Sequence, residues 1–154
     1  MLTIRDYAPR DRAACLAVFD SNVPTYFGAH ERPLFESWLD DLHGPYLVIE
    51  DGSEIVACGG SALHRTEPGA AMLCWGMVTR SRHKSGVGRL LLNERLTRLN
   101  NDPSLTVAVV NTSQFAAGFF TRMGFTTRKV ERDGYFAGMD KHEMSVALPF
   151  QSAV

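Results

Sequence analysis

A chain of 154 residues, 45% of them hydrophobic, can fill one continuous core, and one domain spanning residues 1–154 is expected. Its 16 basic and 17 acidic side chains leave a formal charge of -1, which excludes a general electrostatic pull toward nucleic acid or an anionic membrane. Arg5 and Asp6 fall where a signal peptide needs an unbroken apolar stretch, and no run approaches the ~18 apolar residues of a membrane span, so a cytoplasmic protein is expected.

Leu2 and Ile4 alternate with polar residues as a short strand does, and Pro9 opens a segment in which Ala14, Val18 and Phe19 recur at helical spacing. Residues 21–28 are rich in helix breakers but hold Tyr26 and Phe27. From Glu31 to Leu42 a helical pattern resumes through Phe35, Trp38, Leu39 and Leu42. Two apolar runs, 46–49 and 55–58, flank an Asp51-Gly52 turn, and a third run from Ala70 to Val78 reads as a central strand buried on both faces. Residues 46–78 thus read as an antiparallel meander.

Gly86 to Asn100 is expected to be a helix, with Val87, Leu90, Leu91, Leu92, Leu96 and Leu99 inward and Arg89, Glu94, Arg95 and Arg98 largely outward. Leu105 to Val110 fits a buried strand, and Ser113 to Met123 a helix with Phe115, Phe119, Phe120 and Met123 at core spacing. Phe125–Glu131 and Lys141–Leu148 close the chain as strands joined by a turn-rich segment, 132–138; His142, Met144, Val146 and Leu148 share one face. Cys15, Cys58 and Cys74 are odd in number, lie in apolar surroundings and lack CxxC spacing, so they read as buried free thiols, and no metal site is expected.

The sharpest chemical feature is the strand that runs through Val78 into Arg82-His83-Lys84-Ser85-Gly86-Val87-Gly88 and on into a helix. Backbone N–H groups at such a turn, with the positive end of the helix, form a concave anion site suited to a diphosphate. Gly86 and Gly88 let the phosphate approach the backbone, and Arg82, Lys84 and Arg89 can add charge. The turn is not a P-loop, for it lacks GK[ST] at the helix start. Nor is it the dinucleotide fingerprint, because Leu91 stands at the third glycine position.

Here the chain resembles the GNAT superfamily of acyl-CoA-dependent N-acetyltransferases. One family motif is matched by Val78, His83, Gly86, Val87 and Gly88, with His83 in the place of the usual Gln or Arg; the other is matched by Ala116, Phe120, Gly124 and Phe125, with Phe120 in the place of a tyrosine. The resemblance implies an α/β fold of the mixed α+β kind, with a central sheet of about seven strands and about four helices. It further implies acetyl-CoA as co-substrate, held by Met77, Val78, Thr79, His83, Lys84, Ser85, Gly86, Val87, Gly88 and Arg89. Asn111 and Ser113 would contact the pantetheine arm, and Phe120 would face the sulfur.

The implied chemistry is direct attack by a neutral amine of a small-molecule or peptide acceptor on the thioester, whose carbonyl is polarised by backbone N–H groups near Val78. A homodimer is compatible with the resemblance. Phe120 cannot donate the proton that a tyrosine would give the leaving thiolate, and Tyr135 is the candidate substitute. No carboxylate lies on residues 70–78, so the base is sought among Glu31, His64, Glu67, Asp133 and His142, with the helix N-terminus as the alternative role of Glu31 and a plain surface or core-edge place as that of His64. Tyr26, Phe27 and Trp38 are candidates for the wall of an acceptor pocket, or simply for packing. Nothing spaced like an activating His or Asp marks Cys74 as a nucleophile. Two rival readings remain: a non-catalytic acyl-CoA-binding sensor, supported by Phe120, and a nucleotide or nucleic-acid binder using Arg80, Arg82, Lys84 and Arg89.

Overall fold

In a computed structural model, described over residues 1–151, seven strands form one mixed sheet in the order β1-β2-β3-β4-β5-β7-β6. These are β1 (Leu2–Asp6), β2 (Tyr46–Asp51), β3 (Glu54–Leu63), β4 (Ala70–Val78), β5 (Val107–Thr112), β6 (Thr126–Phe136) and β7 (Met139–Ala147). The helices are α1 (Arg12–Ser21), α2 (Arg32–Asp40), α3 (Val87–Leu99) and α4 (Ala117–Arg122). β4 and β5 run parallel, while β1–β2, β2–β3, β5–β7 and β6–β7 are antiparallel, so the expected mixed α/β architecture is present. No helix among the described residues is long and apolar enough to cross a membrane. The chain divides into two compact units, residues 1–62 with 74–95, and residues 63–73 with the chain from 96 onward.

In the first unit the period-2 alternation of β2 sends its side chains to two cores. Tyr46 and Val48 pack with Cys15, Leu16, Val18 and Phe19 of α1 and with Phe35 and Leu39 of α2. Leu47 and Ile49 pack with Val87 and Leu91 of α3. Both faces are therefore covered, which is why residues 46–49 read as an unbroken apolar run. Each fully buried Phe, such as Phe19 and Phe35, contributes about 1.5–3 kcal/mol by leaving water. Cys15 and Cys58 are buried free thiols, as expected; Cys74 is likewise in no disulfide but only partly buried.

Several expectations need correction. The second helix starts at Arg32, because Glu31 closes a preceding 3-10 turn, Ala29–Glu31, and Leu42 lies beyond the helix end, partly exposed. β4 is not buried throughout: Ala70, Ala71, Leu73 and Met77 are buried but Gly76 is exposed. Arg95, expected outside, is only 6% exposed. It lies four residues after Leu91 and three after Leu92 and so shares their inward face.

In the second unit β5 buries Ala108, Val109 and Val110, and β7 buries Met144. β5 starts at Val107 rather than Leu105. The helix expected over 113–123 is only α4, six residues long, and Phe115 lies outside it and is 55% exposed. The turn expected at 132–138 is mostly strand: β6 runs to Phe136, its register slips between Glu131 and Phe136, and Asp133 takes a left-handed φ of 55°. An Asp-Gly pair here marks a bulge within the strand. The reversal itself sits at Ala137-Gly138, where Gly138 has φ 85°.

Candidate functional site

The site is built at the end of β4. Trp75 has a left-handed φ of 46°, and its carbonyl accepts a 2.7 Å hydrogen bond from Tyr46 Oη. The carbonyl of Val78 accepts twice, from Asn22 Nδ2 and from His83 Nε2, each at 2.9 Å. His83 therefore carries a proton on Nε2 and ties the turn to the strand end. Thr79 N–H donates to the Val56 carbonyl at 2.8 Å, and Arg80 N–H to Ser21 Oγ at 3.0 Å. These bonds fix the exit of the strand against β3 and the end of α1.

The chain then makes a 3-10 turn at Arg80–Arg82 and enters left-handed conformations at Lys84 (φ 62°) and Gly86 (φ 91°). The first bond of α3 follows, from Leu90 N–H to the Gly86 carbonyl at 3.1 Å. Gly86 is needed for its φ, since a Cβ there would meet nothing within 4 Å. Ser85 Oγ donates to the Arg82 carbonyl, so the turn is braced from within. Lys84, Ser85 and Gly86 are exposed, Val87 is buried, Gly88 is half-buried and Arg89 is exposed. An exposed turn with left-handed residues, leading into the free N–H groups of a 13-residue helix, has the form that suits an anion.

Side-chain charge around the turn is partly committed. Arg82 pairs with Asp51 at 2.8 Å and holds that carboxyl below the usual range. Arg80 lies 5.3 Å over the Tyr26 ring, which meets His83 edge-on at 5.0 Å. Tyr26 is thus brought to the cradle. Phe27 stacks on Trp75 at 6.2 Å and packs at a tilt on Phe19 at 5.0 Å, and Trp38 packs against the same core. Glu31 accepts the N–H of Gly28 at 2.8 Å, capping its own 3-10 turn.

In the second unit, His64 Nδ1 accepts the N–H groups of Thr66 and Glu67 at 3.2 and 3.0 Å. Glu67 is paired with Arg128 at 2.7 Å, and the guanidinium keeps its carboxyl below the usual range. Asn111 buries its Oδ1 with no partner among the described residues, as a group awaiting a donor would. Ser113 is buried, and its Oγ accepts the N–H of Phe115 at 3.3 Å. Phe120 is 9% exposed between the rings of Phe119 and Phe125, each at 5.2 Å. Asp133 accepts the N–H of Gly138 at 2.8 Å; Tyr135 is half-buried on β6, and His142 stands opposite Thr112 and Val130. Among the described residues no group of three His, Cys, Asp or Glu side chains could hold a metal ion.

The sequence reading missed Asn22, the Tyr46–Trp75 bond and Arg95. Asn22 gave no signal, being one polar residue in a breaker-rich loop. Arg95 did: it keeps the helical spacing of the core leucines, and Gly59 and Gly76 clear room on the strands.

A family model described as the acetyltransferase (GNAT) domain matches residues 29–148 and runs through both units. Among curated proteins nothing matches significantly. Of the solved structures, a GNAT-family chain from Desulfovibrio desulfuricans is 22% identical, covering 96% of this chain and 99% of its own, with a TM-score of 0.81. The ribosomal-protein-S18-alanine N-acetyltransferase of Escherichia coli is 15% identical, over 99% and 97%, with a TM-score of 0.79. A Salmonella typhimurium protein solved with acetyl-CoA is 18% identical, over 100% and 98%, with a TM-score of 0.76. These likenesses establish the fold, and the family model, spanning most of the sequence and both of its motifs, establishes that the chain belongs to the GNAT acetyltransferases.

Proposed function

We propose that the chain is an N-acetyltransferase that takes acetyl-CoA at the β4–α3 turn and passes its acetyl group to an amine by direct attack. The observation that carries this reading is the turn itself: Lys84 and Gly86 left-handed, ahead of the free N–H groups of α3. Acetyl-CoA supplies an activated acyl group on a thiol whose pKa of ~8.5 makes it a tolerable leaving group near neutral pH. The chain's own contributions are simple ones. Backbone N–H groups of residues 83–88 receive the diphosphate, Met77, Val78 and Thr79 border the arm, and Asn111 Oδ1 accepts from an amide of it.

Of the base candidates, neutral His64 has its Nδ1 lone pair taken by two backbone N–H groups, so its free nitrogen carries the proton. Glu31 keeps carboxylate lone pairs beyond the one bound by Gly28, stands four residues from Phe27 and is the better candidate, with the amine proton passing through water. Tyr26 and Phe27 are proposed to wall the acceptor, and Tyr135 to protonate the thiolate. The reading takes residues 1–154 as one catalytic domain and places it in the cytoplasm, in keeping with three cysteines outside any disulfide.

A second reading, an acyl-CoA sensor, draws on Phe120, which packs between two rings and has no proton to give. Thiol release from acetyl-CoA against a panel of amines separates the two. The parent should turn over at least one amine, Phe120→Tyr should raise that rate about ten-fold, the low end of general-acid effects, and Gly86→Glu should abolish binding of CoA in calorimetry. No release from the parent or from Phe120→Tyr with any amine, alongside intact CoA binding, would establish the sensor instead.

A further inference from the structure

Arg95 is a feature of the first unit that neither packing nor the cradle explains. Its guanidinium is buried against the sheet, where a Cβ on Gly76 would stand 2.5 Å from one Nη and a Cβ on Gly59 would stand 3.2 Å from Cζ. Two glycines, Gly59 and Gly76, hold the slot open, and the Gly60 carbonyl accepts from Nη1 at 3.3 Å. Nε has no partner among the described residues. The acids that face the charge are Tyr46, Cys74 and Cys58, weak acids rather than carboxylates. Burial brings the guanidinium down to about 10, so it stays protonated at neutral pH.

A charge kept buried with no carboxylate against it among the described residues is costly to the fold, and a leucine would fill the same face of α3 at no such cost. What the charge does instead follows from its place. Gly76 is exposed and directly follows Trp75, whose left-handed backbone and Tyr46-bound carbonyl set the peptide that leads into Met77 and Val78. We infer that Arg95 is a positioning residue for acyl transfer: its charge, set behind Gly76, holds the β4 backbone at Trp75 and Gly76 and favours the negative charge that builds on the thioester oxygen received there. The inference rests on the proposed function, which brings the thioester to the end of β4. It acts through backbone, not by contact, as a preorganised charge in a low-dielectric site does.

The test reads the field directly and needs no acceptor. [1-13C]Acetyl-CoA is bound to the protein and the thioester carbonyl stretch is recorded by isotope-edited infrared difference spectroscopy. Arg95→Met, which keeps the apolar stem, should leave the affinity for CoA within about two-fold of the parent while moving the carbonyl band to higher wavenumber. Arg95→Lys, which restores the charge, should bring the band back toward the parent position. With an amine that the parent acetylates, Arg95→Met should lower kcat about ten-fold, less than the loss of a direct oxyanion donor, with KM for acetyl-CoA unchanged. A band that stays put in Arg95→Met, or shifts equally in Arg95→Met and Arg95→Lys, overturns the inference and leaves Arg95 a core plug. Should Arg95→Met not fold, Arg95→Gln serves as the neutral variant and is read in the same way. Failure of the parent itself to bind acetyl-CoA in calorimetry would sink the proposed function first, an outcome distinct from binding without a shift.

Discussion

Asp11 shows how one side chain organises the start of the fold. Arg5 donates to both of its oxygens, at 2.7 and 2.8 Å, and Ala8 N–H donates at 2.8 Å, so a 4%-exposed carboxylate is fully satisfied. The Arg5 bonds, against the opposing effect of burial, hold its carboxyl below the usual range. The unfolded chain therefore binds this proton more readily than the folded one. The stability Asp11 contributes is present above its unfolded pKa of ~3.9 and is lost as pH falls through the lower folded value. Asp11→Ala should cost about 2–3 kcal/mol at pH 7 in urea denaturation, with the gap between parent and variant closing as the pH is lowered toward 2. A gap that persists at the acid end would mean packing rather than charge. Asp11 and Arg95 were both hidden in the sequence for one reason. A charged residue reads as exposed unless its partner, or the glycines that make room for it, are known to be near.

At the scale of elements, periodicity identified long helices well and short ones poorly. In α3 Val87, Leu91, Leu92 and Leu96 are buried as their spacing says, because thirteen residues sample the pattern over more than three turns. Around α4 the same rule placed Phe115 in the core, where it is 55% exposed, because six helical residues end before the pattern repeats. Leu92→Ala and Phe115→Ser turn this contrast into a measurement. Leu92 is 0% exposed, and its truncation should cost about 2–5 kcal/mol, whereas Phe115→Ser should fall within about 0.5 kcal/mol of the parent in denaturant titration. A large loss at Phe115 would indicate that its ring is covered in solution. Strand order was legible only for neighbours in sequence, such as the β2-β3-β4 meander. The insertion of β7 between β5 and β6 depends on pairings between distant segments, and a bulge at Asp133 carries the same Asp-Gly signal as a turn.

For the whole molecule, element order and the β4–α3 turn were legible, because a strand, a glycine-bearing basic turn and a helix must follow one another in sequence. The residues that complete the site, Asn22 and Tyr46, come from other elements and act by single hydrogen bonds that leave no pattern. The turn's chemistry should be visible in the stability of the whole chain. A ligand that binds only the folded state adds RT ln(1 + [L]/Kd), about 2.7 kcal/mol at a hundred-fold excess over Kd. For a chain of this length each kcal/mol raises Tm by about 2–4 °C, so saturating CoA should raise it by about 5–10 °C in one cooperative transition, if residues 1–154 act as one domain. ATP at the same concentration should do far less, since a site made for a diphosphate with a pantetheine arm gains nothing from a third phosphate. The response to salt then tells which groups hold the ligand. Arg82 is tied to Asp51 and Arg80 lies over Tyr26, in keeping with the proposal that backbone N–H groups are the main contacts. Raising the salt from 0.05 to 0.5 M should therefore trim the CoA-induced shift only modestly, because screening weakens exposed charge pairs more than bonds to a fixed backbone. A shift that collapses with salt would move the phosphate contacts from the backbone to Lys84 and Arg89, and a shift given equally by ATP would favour a nucleotide site over an acyl-CoA one.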